Sequence, residues 1–516
     1  MIHRFSAFGS RFSAFGRVPA AGWRVLSAAV LFAVVLTPVA APLAAQGKRT
    51  ANAQKVVLDR TKAPVPGPTP AVRVPTWTKS LLANGAQLIV SQKRDLPLVS
   101  VTVNFVGGKN QFEDASKLGV ASLAGEMLSE GTTTRTGDQL ADAEQTLGTS
   151  ISVNIDGESG SIGFEALSNK LDAALDLLGD ILVNSTFPAD ALERRRSQRL
   201  VALTAAKDQP RAIASNVFAK VLYGNEHPYG HVVTEETVKA ITRDDVVNFA
   251  HAYFQSARAI ITIVGDVDPA SVRASVERAL AQWPAGGNRV AFDYPAPPAL
   301  RATTIYLVDK TKAPQSVFSL GIPGPSRSTP DYYAIQVMNT ILGQLFQSRL
   351  NSVLREQKGY TYGASSSFAY GRGPGAFRAS ADIVTAKSDS ALIEFMNELR
   401  GVQGSKPFTD DEIKQGKESL IQGLVRRFNS VGATSGAIAS LYVQDLPETF
   451  YKDYSANINA VTADDLVRVA KQYIDLDHLD IVVVGDRASI EEPLRKTGIA
   501  PLVVLDITGK PVVANP

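Results

Sequence analysis

Ser122, Gly125 and Glu126 have the spacing, but not the residue types, of a metal-dependent hydrolytic site. Positions i, i+3 and i+4 share one face of a helix, and histidine, glutamate and histidine placed there hold zinc and activate water. A serine hydroxyl is a poor zinc ligand, glycine has no side chain to act as a base, and one carboxylate alone does not hold zinc. The sequence predicts no catalytic residue and no metal site at these positions.

The residues around these three positions resemble a zinc-site motif of the insulinase and pitrilysin family of metallopeptidases. The matching positions are Gly119, Ala121, Met127, Leu128, Gly131 and Thr132. In that family a later helix supplies the third zinc ligand, a glutamate. The similar segment here is 187–203, with Val201 and Ala202 at the place of that glutamate. The resemblance implies that this chain holds no cofactor and that zinc belongs to a partner chain.

A second segment, 341–362, resembles the C-terminal signature of the same family, which runs from Ser348-Arg349-Leu350 to Tyr362. The resemblance implies that Arg355 and Tyr362 bind the substrate backbone and stabilise the tetrahedral intermediate. Both side chains are hydrogen-bond donors suited to a developing oxyanion. The alternative is that Arg355 pairs with Glu356 on a solvated helix and Tyr362 packs in a strand.

An internal repeat indicates a tandem duplication. Residues 240–253 recur as 460–473, and 261–266 recur as 481–486, both at an offset of 220. Thr242 and Thr462 are predicted helix N-caps with acids in the first turn. Each half alternates apolar strands with long helices, which predicts an α+β fold with a mixed sheet backed by helices. The family resemblance implies two homologous roll domains forming a clamshell half-ring.

The domain boundaries follow from composition and length. We expect a Pro-rich flexible segment at 46–75, an N-terminal peptidase-like domain at 76–284, a Gly/Pro linker at 285–300 and a C-terminal peptidase-like domain at 301–508. We expect the two halves to close around an extended peptide.

The first 45 residues have the order of a secretory signal peptide: arginines without acids, an apolar run over 25–36, and small residues ending at Ala45. This predicts a periplasmic or secreted protein. A mitochondrial transit peptide and an uncleaved leader that anchors the chain in a membrane are the alternatives.

The composition excludes several classes of protein. The chain of 516 residues has no cysteine, so disulfides and thiol catalysis are excluded. Its formal net charge of +3 is smaller than the charge of the arginines in the predicted leader, so no nucleic-acid-binding surface is expected. Among the 5 histidines, His227 and His231 have i, i+4 spacing, but Pro228 and Gly230 between them predict a turn.

Together these features predict a non-catalytic, substrate-binding subunit of a heteromeric zinc metallopeptidase, similar to the alpha subunit of mitochondrial processing peptidase. Its partners would be a zinc-bearing homologous subunit and unfolded peptides. One alternative is a peptide-binding scaffold or chaperone with no part in cleavage. Another is an autonomous metallopeptidase whose displaced site uses Glu126, Glu130 and a histidine brought near by folding.

Overall fold

The structure, a computed structural model, describes residues 72–512, which lie within one compact unit. The strands of this part are β1 Thr78–Leu81, β2 Gln87–Gln92, β3 Leu98–Val106, β4 Ser152–Ile155, β5 Ser159–Leu167, β6 Ala259–Gly265, β7 Thr304–Asp309, β8 Gln315–Pro323, β9 Thr361–Ala369, β10 Ala376–Val384, β11 Asp480–Gly485 and β12 Leu502–Leu505. The helices of the first half are α1 Lys109–Phe112, α2 Val120–Met127, α3 Gly137–Leu147, α4 Leu171–Asn184, α5 Ala189–Ala206, α6 Pro210–Tyr223, α7 Glu235–Ala240, α8 Arg243–Tyr253 and α9 Pro269–Ala279. Those of the second half are α10 Tyr332–Asn339, α11 Arg349–Asn351, α12 Ser388–Arg400, α13 Asp410–Arg426, α14 Val431–Val443, α15 Phe450–Ala460, α16 Ala463–Tyr473 and α17 Arg487–Lys496.

The described strands form two six-stranded mixed sheets, one in each half. Their orders are β1-β2-β6-β3-β5-β4 and β12-β7-β11-β8-β10-β9. In the first sheet β6 runs parallel to β2 and antiparallel to β3; in the second, β11 has the same relation to β7 and β8. The predicted α+β class is therefore confirmed.

The two halves repeat each other element by element, except at the outer strand. Five strands of each sheet correspond in order, whereas the sixth comes from the start of the described chain in one sheet and from its end in the other. The matching helices α8 and α16 begin with identical capping boxes, in which Thr242 and Thr462 accept hydrogen bonds from the backbone N–H of Asp245 and Asp465. Local sequence thus starts both helices at the predicted residue.

Each half has its own main core, but each sheet is also covered by a helix from the other half. Helix α6 of the first half packs Val217 and Phe218 against strands of the second sheet. Helix α14 of the second half packs Ile438 against Ile89 and Val264 of the first sheet. The repeat therefore exchanges one helix in each direction.

Between α9 and β7 the chain has no helix or strand, and this stretch contains the predicted linker 285–300. The predicted leader, 1–45, lies outside the described residues. Of the predicted flexible segment 46–75 only 72–75 are described, and Val72 and Val74 are partly buried against the core of the second half. No helix within residues 72–512 has the length and apolar character to span a membrane. The exact domain boundaries remain a prediction.

Candidate functional site

Helix α2, which carries Ser122, Gly125 and Glu126, is held rigidly in the first half. Gly119 begins it with φ of 103°, a left-handed conformation that favours glycine. The carboxylate of Glu113 accepts hydrogen bonds from the backbone N–H of Gly119, at 3.0 Å, and of Ala121, at 2.8 Å. Burial raises the pKa of Glu113 despite these bonds. Sequence analysis missed Glu113, which is partly buried and fixes the start of α2.

The three positions of α2 do not form a metal site. Gly125 is buried, and a Cβ there would lie 3.2 Å from Cγ1 of Val153 on β4, so there is little room for a larger side chain. The Glu126 carboxylate accepts a hydrogen bond from the Arg199 guanidinium at 2.6 Å. Ser122 is partly exposed beside them. The only carboxylate of the three positions is already paired with an arginine, and a single carboxylate does not hold zinc, so these residues do not fit zinc.

Helix α5, where the family resemblance places the third ligand, carries Val201 and Ala202 at that place and no carboxylate. Val201 is 70% exposed and Ala202 is also exposed. Arg195 donates to Glu130 at 2.6 Å, and Arg194 contacts the same carboxylate. Within residues 72–512, no group of three or more histidine, cysteine, aspartate or glutamate side chains is arranged to hold a metal. Glu126 and Glu130, the acids of the displaced-site alternative, are thus both committed to arginines.

The arginine run 194–196 therefore has structural partners. Arg196 donates to the carbonyl oxygen of Ile241 at 2.7 Å and to Glu193 at 3.1 Å. The bond to Ile241 joins α5 to the segment after α7, and the Arg199–Glu126 pair holds α5 beside α2.

His227 and His231 flank the turn Pro228–Gly230, as the sequence predicts. His227 is buried and stacks on Tyr294 of the linker, with ring centroids 5.5 Å apart. Burial lowers the pKa of His227. These contacts give the turn a packing role.

Arg355 lies in the π-helical segment Ser352–Gln357 of the second half. Its guanidinium stands 4.5 Å from the ring centroid of Phe346, and its Nε lies 3.3 Å from a carboxylate oxygen of Glu356. The Phe346 ring is 63% exposed, and about a third of the Arg355 side chain is exposed. The pairing with Glu356 is thus present, but it is an exposed contact of little strength and leaves the guanidinium accessible.

Tyr362 is 88% exposed at the start of β9, the outer strand of the second sheet. The Tyr362 ring therefore does not pack against the core of the second half. Asn351 connects its surroundings, because it donates to the carbonyl oxygen of Phe346 at 2.7 Å and accepts from the N–H of Ala364 at 3.1 Å. Asn351 thus ties the segment of Phe346, whose ring lies beside Arg355, to the start of β9, which carries Tyr362.

Arg349, in the same signature, has a different role that sequence analysis did not recognise. Its guanidinium makes two hydrogen bonds to Glu412, at 2.7 and 2.8 Å, and also donates to the carbonyl oxygens of Lys406 and Pro407. Its side chain is only 10% exposed. The pair fixes the signature segment against α13, which leaves Arg355 as the accessible arginine of this region.

The structure does not join α2 and the Arg355 region into one site. The polar contacts of Glu126 run to α5, whereas those of Arg355 stay within its own segment. What this chain presents is therefore an accessible guanidinium in the π-helical segment before β9 and an accessible phenol at the start of β9, both able to donate hydrogen bonds to a carbonyl or a carboxylate.

Two family models match most of the described chain. A family model described as "Insulinase (Peptidase family M16)" matches residues 89–232, and one described as "Peptidase M16 inactive domain" matches residues 240–420. The fold and the two matches define the chain as a member of the insulinase family of peptidases.

Several bacterial proteins are similar to this chain. An uncharacterized zinc protease of Bacillus subtilis is 24% identical over 55% of this chain and 68% of its own length. One from Mycobacterium leprae is 25% identical over 67% of this chain and 78% of its own. The crystal structure of a peptidase M16 inactive domain from Pseudomonas fluorescens has a TM-score of 0.73 at 25% identity and covers 79% of this chain and 98% of that one. A Helicobacter pylori protease, at 19% identity and a TM-score of 0.74 over 80% of this chain and 99% of that one, shares the fold.

Proposed function

We propose that this chain is a non-catalytic, substrate-binding subunit of a heteromeric zinc metallopeptidase that acts on unfolded peptides. It would supply Arg355 and Tyr362 to the site of a homologous partner that carries zinc. One contrast carries the proposal. The α2 positions are closed by the Glu126–Arg199 pair, whereas Arg355, in the segment before β9, and Tyr362, at the start of β9, remain accessible.

The chemistry of the two side chains suits this role. A guanidinium and a phenol donate hydrogen bonds without accepting a proton, so they stabilise negative charge on an oxygen in the transition state. Only their placement within hydrogen-bond reach matters, whichever chain supplies them. Asn351 and Asn339 already bond the Ala364 N–H and the Ser366 carbonyl oxygen of the outer strand β9. An extended peptide would instead lie along the exposed face of this strand, which would hold the scissile bond near Tyr362.

The experiment is hydrolysis of an internally quenched, unstructured peptide by the purified chain, by a homologue with an intact H-x-x-E-H motif, and by their mixture. We expect full activity only in the mixture. Arg355→Ala should lower the rate of the mixture by about 100-fold, since the loss of one transition-state donor has an effect of that order. Tyr362→Phe removes only a hydroxyl at an exposed position and should give a smaller loss.

Glu356→Gln is the matched control, because it removes the ion-pair partner of Arg355 and leaves the guanidinium in place. Its rate should equal that of the unmodified mixture. An unchanged rate with Arg355→Ala, while the two chains remain bound, would favour a scaffold without a part in cleavage. Hydrolysis by this chain alone would show an autonomous peptidase.

We also propose export through the N-terminal leader. The test is the N-terminal sequence of the chain recovered from the extracytoplasmic fraction of its host. Cleavage near Ala45 is the expected result, and an intact leader on a cytoplasmic chain would contradict it.

A further inference from the structure

A polar groove of about 630 Å³ lies on the second sheet beside the start of α6. Strands β8, β10 and β9 form its floor, and Tyr362 stands at its rim. The apolar residues of α6 cover one part of this sheet face, and the groove occupies the part next to the outer strand. The groove is therefore continuous with the exposed face of β9 along which an extended peptide would lie.

Arg378 of β10 is the unusual residue of this groove. One of its nitrogens donates to the Ser319 hydroxyl at 2.7 Å, and its guanidinium lies 5.2 Å from the ring centroid of Phe218. Its Nε is buried and has no hydrogen-bond partner. Burial lowers the pKa of Arg378. In residues 72–512 it forms no ion pair with an acid, whereas its groove neighbour Arg211 pairs with Asp382.

This arrangement leaves one uncompensated positive charge in the groove, because Arg211 and Asp382 neutralise each other. A partly buried guanidinium without a counter-ion is unfavourable, and a carboxylate that reaches it makes short, charge-assisted hydrogen bonds. The Ser365 and Ser380 hydroxyls, 3.5 Å apart on neighbouring strands, add further donors to the groove.

The outer strand leaves space for a ligand. Along β9 the exposed positions on the groove side are Gly363, Ser365 and Ser367, which alternate with buried residues and carry small side chains. In an extended peptide that lies along β9, alternate side chains would point toward this face. An acidic side chain at one of them would reach Arg378.

We propose that this groove binds the carboxylate of an aspartate or glutamate side chain in an extended peptide, and so selects acidic peptides. The inference rests on the proposed peptide-binding function and gives it a specificity. The first half has no such charge at the equivalent place, because β5 pairs with β3 there as β10 pairs with β8, and Ser161 stands where Arg378 stands.

The test is fluorescence anisotropy of labelled, unstructured ten-residue peptides that are acetylated at the N-terminus and amidated at the C-terminus. One carries a central glutamate and its match carries glutamine. The intact chain should bind the glutamate peptide about tenfold more tightly. A glutamine peptide with a free C-terminal carboxylate distinguishes the source: binding equal to that of the glutamate peptide would overturn the side-chain assignment.

Arg378→Gln should abolish the preference, so that both peptides bind with similar affinity. Because this arginine is partly buried, Ser380→Asp provides a second variant that places a carboxylate inside the groove and should block the glutamate peptide without emptying the core. Arg426→Gln removes an equal charge from an exposed position of α13 and should change nothing. Circular dichroism of each variant checks its folding.

Two outcomes would contradict the groove proposal: equal binding of the two peptides by the intact chain, or a preference that survives Arg378→Gln. Equal binding would leave the proposed peptide-binding function standing. Conversely, a glutamate preference together with an Arg355→Ala mixture of full activity would retain the groove and reject the catalytic role.

Discussion

Three arginines of the second half show how surroundings decide what one side chain can do. Arg349 is mostly enclosed and donates hydrogen bonds to Glu412 and to two carbonyl oxygens, so its donors are used. Arg355 stacks on an exposed ring and meets only a surface acid. Arg378 is partly buried without an acid. Only Arg355 and Arg378 can still bind a ligand. Arg378 is the more buried of the two, so an added negative charge would stabilise it more.

Asp480 is the opposite case, a carboxyl group whose neighbours do not offset the cost of burying its negative charge. Burial raises its pKa from 3.8 to about 6, although Arg301 and the Tyr306 hydroxyl act to lower it. A carboxyl whose pKa is higher in the folded state binds its proton more tightly there. The protonated Asp480 carboxyl therefore contributes its full share to the stability of the folded state below about pH 4. That contribution is lost as the pH rises through 6.

We predict that Asp480→Asn is more stable than the unmodified chain at pH 8, by about 1–3 kcal/mol, and equally stable near pH 4. Urea denaturation at several pH values measures this. Asp477→Asn, at an exposed position in the same turn region, controls for the loss of a charge. A stability difference for Asp480→Asn that does not change with pH would contradict the assignment.

At the scale of elements, the exchanged helices α6 and α14 are the main departure from two independent domains. Each carries apolar residues that complete a core of the other half, and the strands beneath them are buried on both faces as a result. The contact explains why β6 is buried along its whole length, including Ile260 and Val264, which face α14.

Phe218→Ala in α6 should destabilise the protein by about 3–5 kcal/mol, because it empties part of a packed core. The effect should fall on the second half, although the residue belongs to the first. Hydrogen exchange is expected to rise more in β8 and β11 than in β2 and β3. Asn216→Ala, on the exposed face of the same helix, is the control. Faster exchange confined to the first sheet would contradict the exchanged arrangement.

At the scale of the whole molecule, one half-buried acid joins three parts of the chain. Glu158, in the hairpin between β4 and β5, accepts from the Tyr294 hydroxyl of the linker at 2.6 Å and from the backbone N–H of Arg372 in the second half at 2.6 Å. It also accepts from the Tyr229 hydroxyl. Burial and this acid raise the pKa of both tyrosines. Together with the exchanged helices, the network ties the halves to each other.

We therefore predict that the halves stay associated after the linker is cut. A specific protease site inserted between Gly287 and Asn288 allows a single cleavage in an exposed stretch. The two fragments should elute together in size-exclusion chromatography and unfold in one transition. Separation of the fragments in native buffer, or two thermal transitions in the uncut chain, would show that the halves are independent bodies. If the halves were independent, a peptide could enter between the two halves of one chain, and no second chain would be needed to form the opening.

Sequence alone determined the repeated architecture, because the 220-residue offset, the capping boxes and the alternating strands depend on neighbours within a turn or a strand. It also determined that the α2 positions lack the side chains for zinc, since ligand chemistry is a property of residue type. The predicted turn at His227 was equally local.

Tertiary structure alone decided which residues from distant parts of the chain meet at each site. The pairing of Glu126 with Arg199, the exchange of α6 and α14, and the groove of Arg378 join residues separated by 59 to more than 300 positions. No local pattern marks them, because packing across the sheets brings these groups together. Burial then distinguishes an arginine used for structure from one that is available to bind a ligand.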